Sequence, residues 1–253
     1  MIDVIRVIDL AERGVVEVVA DAEALAVAAA ERVVAAASDA LDERGSAAIA
    51  LSGGSTPKRL GELLATADYR DRIDWDHVVW FWGDERWVPL DADESNAGGA
   101  MRSFLKRVPA KPTNIQPWKT TGDPHAAASS YATTMRRLIG NGEPPVFDLI
   151  LLGMGDDGHT ASLFPGTAAV HERAEITVAH RVEKLDATRL TFTPPLINAA
   201  REVAFLVGGA AKAERLKEVL RGPIDLDRLP SQAIRPVTGD LIWHVDEPAA
   251  SLL

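Results

Sequence analysis

Residues 153–166, GMGDDGHTASLFPG, set Asp156, Asp157 and His159 on one short glycine-rich stretch. Histidine titrates near neutral pH and is the side chain most often used as a general base. Asp157, two residues earlier, could orient the ring or stabilise its protonated form. The competing reading is a histidine satisfied by local hydrogen bonds. Two aspartates and Gly153, Gly155 and Gly158, directly after the apolar run FDLILL, favour function. The glycines also match G-x-G-x-x-G. That fingerprint belongs on the first strand-to-helix turn of a βαβ unit, and two aspartates there would repel a pyrophosphate.

Three other stretches could hold what such a base acts on. LSGGSTPKRL (51–60) offers the hydroxyls of Ser52, Ser55 and Thr56, and Gly53 and Gly54 allow close backbone approach. A helix opening near Pro57 would add free N–H groups, which suits a phosphate. A tight turn with a serine cap explains the same residues, and Lys58 lacks Walker A spacing. In FWGDERWVPLDADESNAGGAMRSFL (81–105), Asp84, Glu85 and Arg86 lie just past a very apolar strand, where three charges need partners or a ligand. Most charge runs are solvated turns, but Trp82 and Trp87 on either side weigh against one here. Arg189 in ATRLTFT and Lys212 in VGGAAKAERL form the last set. A lysine in the first turn of a helix opposes the dipole unless an anion sits there; otherwise it points into solvent. Lys106 and Lys119 have no comparable context. The other five histidines (His77, His125, His171, His180 and His244) sit on unrelated segments without H-x-x-x-H spacing, so no metal is expected. G-x-S-x-G is absent as well.

The order of elements must bring these loops together. VVEVVA (15–20) reads as a strand, followed by a helix from an Asp21 cap to Gly45. AAIALS (47–52), HVVWFWG (77–83), FDLILLG (147–153), EITVAH (175–180), TRLTFT (188–193) and EVAFLVGG (202–209) read as further strands. Helices are expected over 96–107, over 124–139 and in AAKAERLKEVLRG, and LIWHVD (241–246) is expected to close the sheet. Alternating strands and helices predict an α/β fold: a mostly parallel sheet with helices on both faces. Ligands in such sheets bind beyond the carboxyl ends of the strands, where the four loops lie. The Pro/Gly connection NGEPPVFD (141–148) divides what reads as one sheet, so a single domain over 1–253 is expected.

Composition narrows the classes. The 253 residues carry a formal net charge of −10, against the basic face that nucleic-acid binding needs. There is no cysteine, hence no disulfide or thiolate chemistry. The N-terminal MIDVIRVIDLAERGVV has acids within its apolar pattern, unlike a signal peptide. No run reaches the ~20 apolar residues of a membrane helix. A cytoplasmic protein is expected, with no membrane partner, as a monomer or small homo-oligomer.

LSGGSTPKRL, GDERWVPLDADESN, GMGDDGHTASLFPG and the segment RLTFTPPLINAAREVAFLVGGAAKAERLKEVL resemble those of the glucosamine-6-phosphate isomerase/6-phosphogluconolactonase family, its lactonase branch in particular. The resemblance spans roughly residues 15 to 246. It implies a modified Rossmann-like fold shared with glucosamine-6-phosphate deaminases and ribose-5-phosphate isomerases. It implies hydrolysis of 6-phospho-D-glucono-1,5-lactone to 6-phosphogluconate in the oxidative pentose phosphate pathway, without metal or organic cofactor. By motif position it makes His159 the catalytic base with Asp157 as partner. It gives phosphate contacts to Gly53, Gly54, Ser55, Thr56, Arg189 and Lys212, and puts Arg86 near lactone or phosphate. Asp84, Glu85 and Gly155 would bind sugar hydroxyls or support the loops. The deaminases usually show Asp-Glu-Tyr where this chain has Asp84-Glu85-Arg86, and a glutamate where it has Phe164; both departures favour the lactonase. A non-catalytic sugar-phosphate sensor is the other class, but it would not need His159 or Asp157, and no helix-turn-helix extension is present.

Overall fold

The computed structural model describes residues 3–140 and 142–253. Met1 and Ile2 of the N-terminal segment, and Asn141 of the Pro/Gly connection, lie outside the described residues. In chain order the strands are β1 (Arg6–Asp9), β2 (Val15–Val19), β3 (Ala47–Leu51), β4 (Val78–Trp82), β5 (Asp84–Arg86), β6 (Leu149–Gly153), β7 (Thr177–Val182), β8 (Ala187–Phe192), β9 (Glu202–Val207) and β10 (Asp240–Asp246). The helices are α1 (Ala22–Arg44), α2 (Ser55–Leu64), α3 (Ala67–Arg70), α4 (Asn96–Ala100), α5 (Pro124–Ile139), α6 (Pro194–Ile197) and α7 (Ala213–Arg221).

Seven strands form one sheet in the order β1-β2-β10-β9-β6-β3-β4, parallel throughout except for β1 against β2. Strands covered on both faces read as unbroken apolar runs, and β3 and β9 are buried at every position. α1 shows why its alanine-rich sequence forms a helix here. Asp21 Oδ1 accepts the Glu23 and Ala24 N–H groups, at 3.0 and 2.9 Å. Gly45 then ends the helix in the left-handed region at φ 74°. Ten of its residues are buried, seven of them alanines, and such small side chains let a helix lie close to a sheet. Trp75, Trp80 and Phe104 fill the core beside β4, with the two indoles stacked at 5.5 Å.

Four expectations need correcting. TRLTFT and EITVAH do not extend the main sheet. β8 and β7 pair with each other and with β5 in a separate antiparallel sheet, β5-β8-β7. LIWHVD lies inside the main sheet, between β2 and β9, and the edge beyond β2 is β1. The helix after LSGGS opens at Ser55, two residues before Pro57. The helix over 96–107 runs as α4 and then widens to a π-helix over Met101–Leu105. Period and composition mark a strand but not its partner, so the second sheet could not be separated from the first.

Candidate active site

The carboxyl ends of β3, β4 and β6 open on one cavity of about 580 Å³. Its catalytic-looking wall is the loop after β6. The Gly155 N–H bonds the His159 carbonyl at 2.8 Å, and the Gly158 N–H bonds the Gly155 carbonyl at 3.0 Å. Gly158 sits at φ +82°, where an L side chain is disfavoured. Gly155 is needed for room: a Cβ there would lie 2.0 Å from His159 Nδ1. The ring is thus packed against bare backbone on one side, and it stacks on Phe164, centroids 4.2 Å apart. Ala161, also on the wall, holds a positive φ of 47°, which for a non-glycine residue is strained.

Asp157 Oδ1 lies 2.6 Å from His159 Nδ1. A carboxylate only accepts, so Nδ1 carries the proton and Nε2 is the nitrogen with a free lone pair. The same oxygen accepts the His159 backbone N–H at 3.2 Å, and Oδ2 accepts the Lys184 ammonium at 2.8 Å. The hydrogen bond with His159, then that with Lys184, hold the Asp157 carboxyl well below the usual carboxylate range, against the opposing effect of burial. Next to it, Asp156 is paired with Lys212.

The opposite wall is the GDER segment. Glu85, 1% exposed, gathers four donors. Oε1 accepts the N–H groups of Arg86 and Asn96, both at 2.8 Å. Oε2 accepts the Ala97 N–H at 2.9 Å and the Ser95 hydroxyl at 3.0 Å. Burial still pushes its carboxyl up, and these backbone donors oppose it. Glu85 therefore fastens the start of α4 to β5 and does not line this cavity. Asp84 accepts the Ser162 hydroxyl at 2.7 Å and the Asn96 amide at 3.2 Å, and it does line the cavity. Asn96 is in turn fitted to the glycine loop: a Cβ on Gly53 would meet its Oδ1 at 1.8 Å.

Between the walls are two arginines. Arg86 on β5 and Arg189 on β8 are register partners, and Arg189 is also paired with His180 on β7. Among the described residues neither guanidinium has a carboxylate within 4.0 Å. Arg86 Nη1 bonds the Glu94 carbonyl at 2.5 Å, and Arg189 Nη1 the Thr188 carbonyl at 3.2 Å. Burial, then Arg86, lower the proton affinity of Arg189, while Asp84 and Glu85 raise it. Cross-strand like charges destabilise a sheet, and an anion between them removes that penalty. Ser52 Oγ, at the end of β3 on the same cavity, is buried without a hydrogen-bond partner among the described residues.

The cavity brings together His159, Asp157, Gly155, Gly53, Gly54, Asp84, Arg86 and Arg189. Ser55 lines an adjoining hollow of about 620 Å³ on the far side of the glycine loop. Thr56, Glu85 and Lys212 line neither, Lys212 being held by Asp156. Sequence reasoning missed Asn96, Ser162, Lys184 and Arg215 on the wall. Asn96 stood within a quoted motif; Lys184, in the charged tip EKLD, looked like any solvated turn.

Residues 20–243 match the family model described as glucosamine-6-phosphate isomerases/6-phosphogluconolactonase. The chain belongs to this family. The member named 6-phosphogluconolactonase from Synechocystis sp. is 44% identical over 221 residues, covering 85% of this chain and 88% of its own. The 6-phosphogluconolactonase from Nostoc sp. is 40% identical, covering 94% and 98%. Among solved structures in the glucosamine-6-phosphate isomerase/6-phosphogluconolactonase family, 6-phosphogluconolactonase from Trypanosoma cruzi superposes with a TM-score of 0.81 at 29% identity, covering 94% of this chain and 96% of that one. The mostly parallel fold expected from sequence is the family's. Among the described residues, no helix is long and apolar enough to cross a membrane.

Proposed function

We propose that the protein hydrolyses 6-phospho-D-glucono-1,5-lactone to 6-phospho-D-gluconate, within the oxidative pentose phosphate pathway. The reading is supported by relatives of that name along nearly the whole chain. The observation that carries its chemistry is the His159–Asp157 pair facing two arginines without carboxylate partners across one cavity.

In this proposal Arg86, Arg189 and the Gly53–Gly54 loop hold the phosphate by charge-assisted hydrogen bonds and fix the lactone carbonyl near His159. Ser55, Thr56 and Lys212 would join only by moving toward the ligand, with Lys212 leaving Asp156. His159 Nε2 takes a proton from water as the water oxygen bonds to the carbonyl carbon. The tetrahedral adduct then collapses, the bond to the ring oxygen breaks, and the imidazolium returns its proton to that oxygen. The new carboxylic acid loses its proton to solvent at neutral pH. Asp157 stays ionised and steadies the imidazolium. A positioned base is worth ~100- to 10,000-fold, enough for a lactone that also opens unaided. Asp84 is assigned to a sugar hydroxyl, Glu85 to bracing Arg86, and Gly155 to clearing space for the ring.

One domain is part of the same proposal, since a single buried apolar cluster runs from Val16 to Ala250. A cytoplasmic setting and a monomer or small homo-oligomer rest on the sequence reading alone. Phe164, stacked on His159, fills the place where the deaminases usually carry a glutamate, against amino-sugar chemistry. The test offers the protein lactone generated from glucose-6-phosphate, and separately glucosamine-6-phosphate. Acceleration above spontaneous opening with the first alone is expected. Turnover of the second alone would transfer the chain to the deaminase branch.

A further inference from the structure

We infer that Lys184 is a positioning residue for the His159–Asp157 pair: from the β7–β8 hairpin it holds the second oxygen of Asp157 and so keeps the His159 ring in its proton-accepting form at neutral pH. The inference deepens the proposal above and rests on His159 being the base.

Lys184 lies in a 3-10 turn, Glu183–Leu185, that joins β7 to β8. Its Nζ is 2.8 Å from Asp157 Oδ2, while Oδ1 of the same carboxylate is 2.6 Å from the imidazole. One carboxylate therefore bridges an ammonium and the ring. The neighbouring charges leave these two groups to each other. Glu183 and Asp186, the acids of the hairpin tip, both pair with Arg181. Asp156, the other acid of the loop, is taken by Lys212.

An unneutralised carboxylate this close to an imidazole favours the imidazolium, and a ring that already carries two protons cannot accept one from water. An ammonium on the far oxygen offsets that field while leaving the Oδ1 contact that orients the ring. Other charges face the same cavity or loop. Arg189 comes from β8, with His180 of β7 on the Ser162 carbonyl, and Asp84 and Arg86 come from β5. From α7, Arg215 sits on the Asp156 carbonyl and Lys212, at its cap, on the Asp156 carboxylate. A bound phosphate would offset Arg86 and Arg189. Lys184, committed to Asp157, is the counterweight that persists in the complex. Its side chain is 67% exposed, so salt must weaken the effect.

The experiment titrates the His159 ring protons of the ligand-free protein by NMR, with the resonance identified by its absence from His159→Gln. Lys184→Met, with Lys184→Gln as a second neutral variant, should raise the midpoint by about half a pH unit at low ionic strength. The difference should shrink in high salt, Lys184→Arg should restore the wild-type midpoint, and the acid limb of kcat/KM should move in parallel. A midpoint that stays or falls in the neutral variants overturns the inference, even if activity drops, because a mere tether would lower kcat at every pH. Turnover retained in His159→Gln would instead remove the base assignment, and this inference with it, whatever the midpoint does.

Discussion

Arg86 and Arg189 face each other as register partners across the short β5–β8 ladder, and no carboxylate lies within 4.0 Å of either among the described residues. The other arginines close to carboxylates form ordinary pairs, such as Arg44 with Asp148 and Arg72 with Glu31. At β5–β8 two like charges are held by backbone pairing in a place where sheet stability alone would not keep them. Both line the cavity that holds His159, and in the proposed function the substrate phosphate offsets their repulsion.

Substituting Arg189 by Gln should therefore raise KM for the phosphorylated lactone by about 10- to 100-fold, the loss of one charged hydrogen bond. kcat should change less, and the ligand-free Tm should not fall, because a repulsion goes with the charge. Steady-state kinetics and thermal melts with and without 6-phosphogluconate check this. In the variant, the product should raise Tm only at correspondingly higher concentration.

Gly155→Ala should be a kinetic lesion with an intact fold. The new Cβ would sit 2.0 Å from Nδ1 and 2.2 Å from Cε1 of His159, so the ring must leave its seat against Phe164. A drop in kcat of about 100-fold or more is expected, with KM and circular dichroism close to wild type.

Asp157→Asn keeps the shape but puts a neutral amide beside the imidazole. The expected loss in kcat is about 10²- to 10⁴-fold. Stability gives a second readout. Asp157 has its carboxyl held below the ordinary range in the folded protein. A depressed folded value means that its stabilisation is complete above the unfolded value of about 4 and is lost as pH falls from there through the folded value. The Tm difference between wild type and Asp157→Asn should therefore persist down to about pH 4 and close only below it.

The main sheet was legible because β3, β6 and β9 are covered on both faces and so carry continuous apolar runs. Asp21 and Gly45 marked the ends of α1 through capping chemistry that is local in sequence. The second sheet was not legible. β5 is three residues long, and nothing in DER states that it pairs with a segment about 100 residues away. The site divides along the same line. Asp157 and His159 are neighbours in the chain, and their contact follows from a two-residue spacing and the glycines around it. Lys184 reaches Asp157 from a separate hairpin, and Asn96 reaches Asp84 and Gly53 from the start of α4. Such contacts are properties of the tertiary fold. Lys212 shows the converse: a lysine at a helix start suggested a ligand, and the fold supplies Asp156.

The assignment of His159 as the base is tested most directly by His159→Ala, assayed with freshly generated lactone against the spontaneous rate at each pH. Loss of about 100- to 10,000-fold in enzyme-dependent kcat is expected, with 6-phosphogluconate still raising Tm because Arg86 and Arg189 are untouched. Wild-type turnover in His159→Ala would contradict the assignment, and so would the joint loss of turnover and product binding in a folded protein.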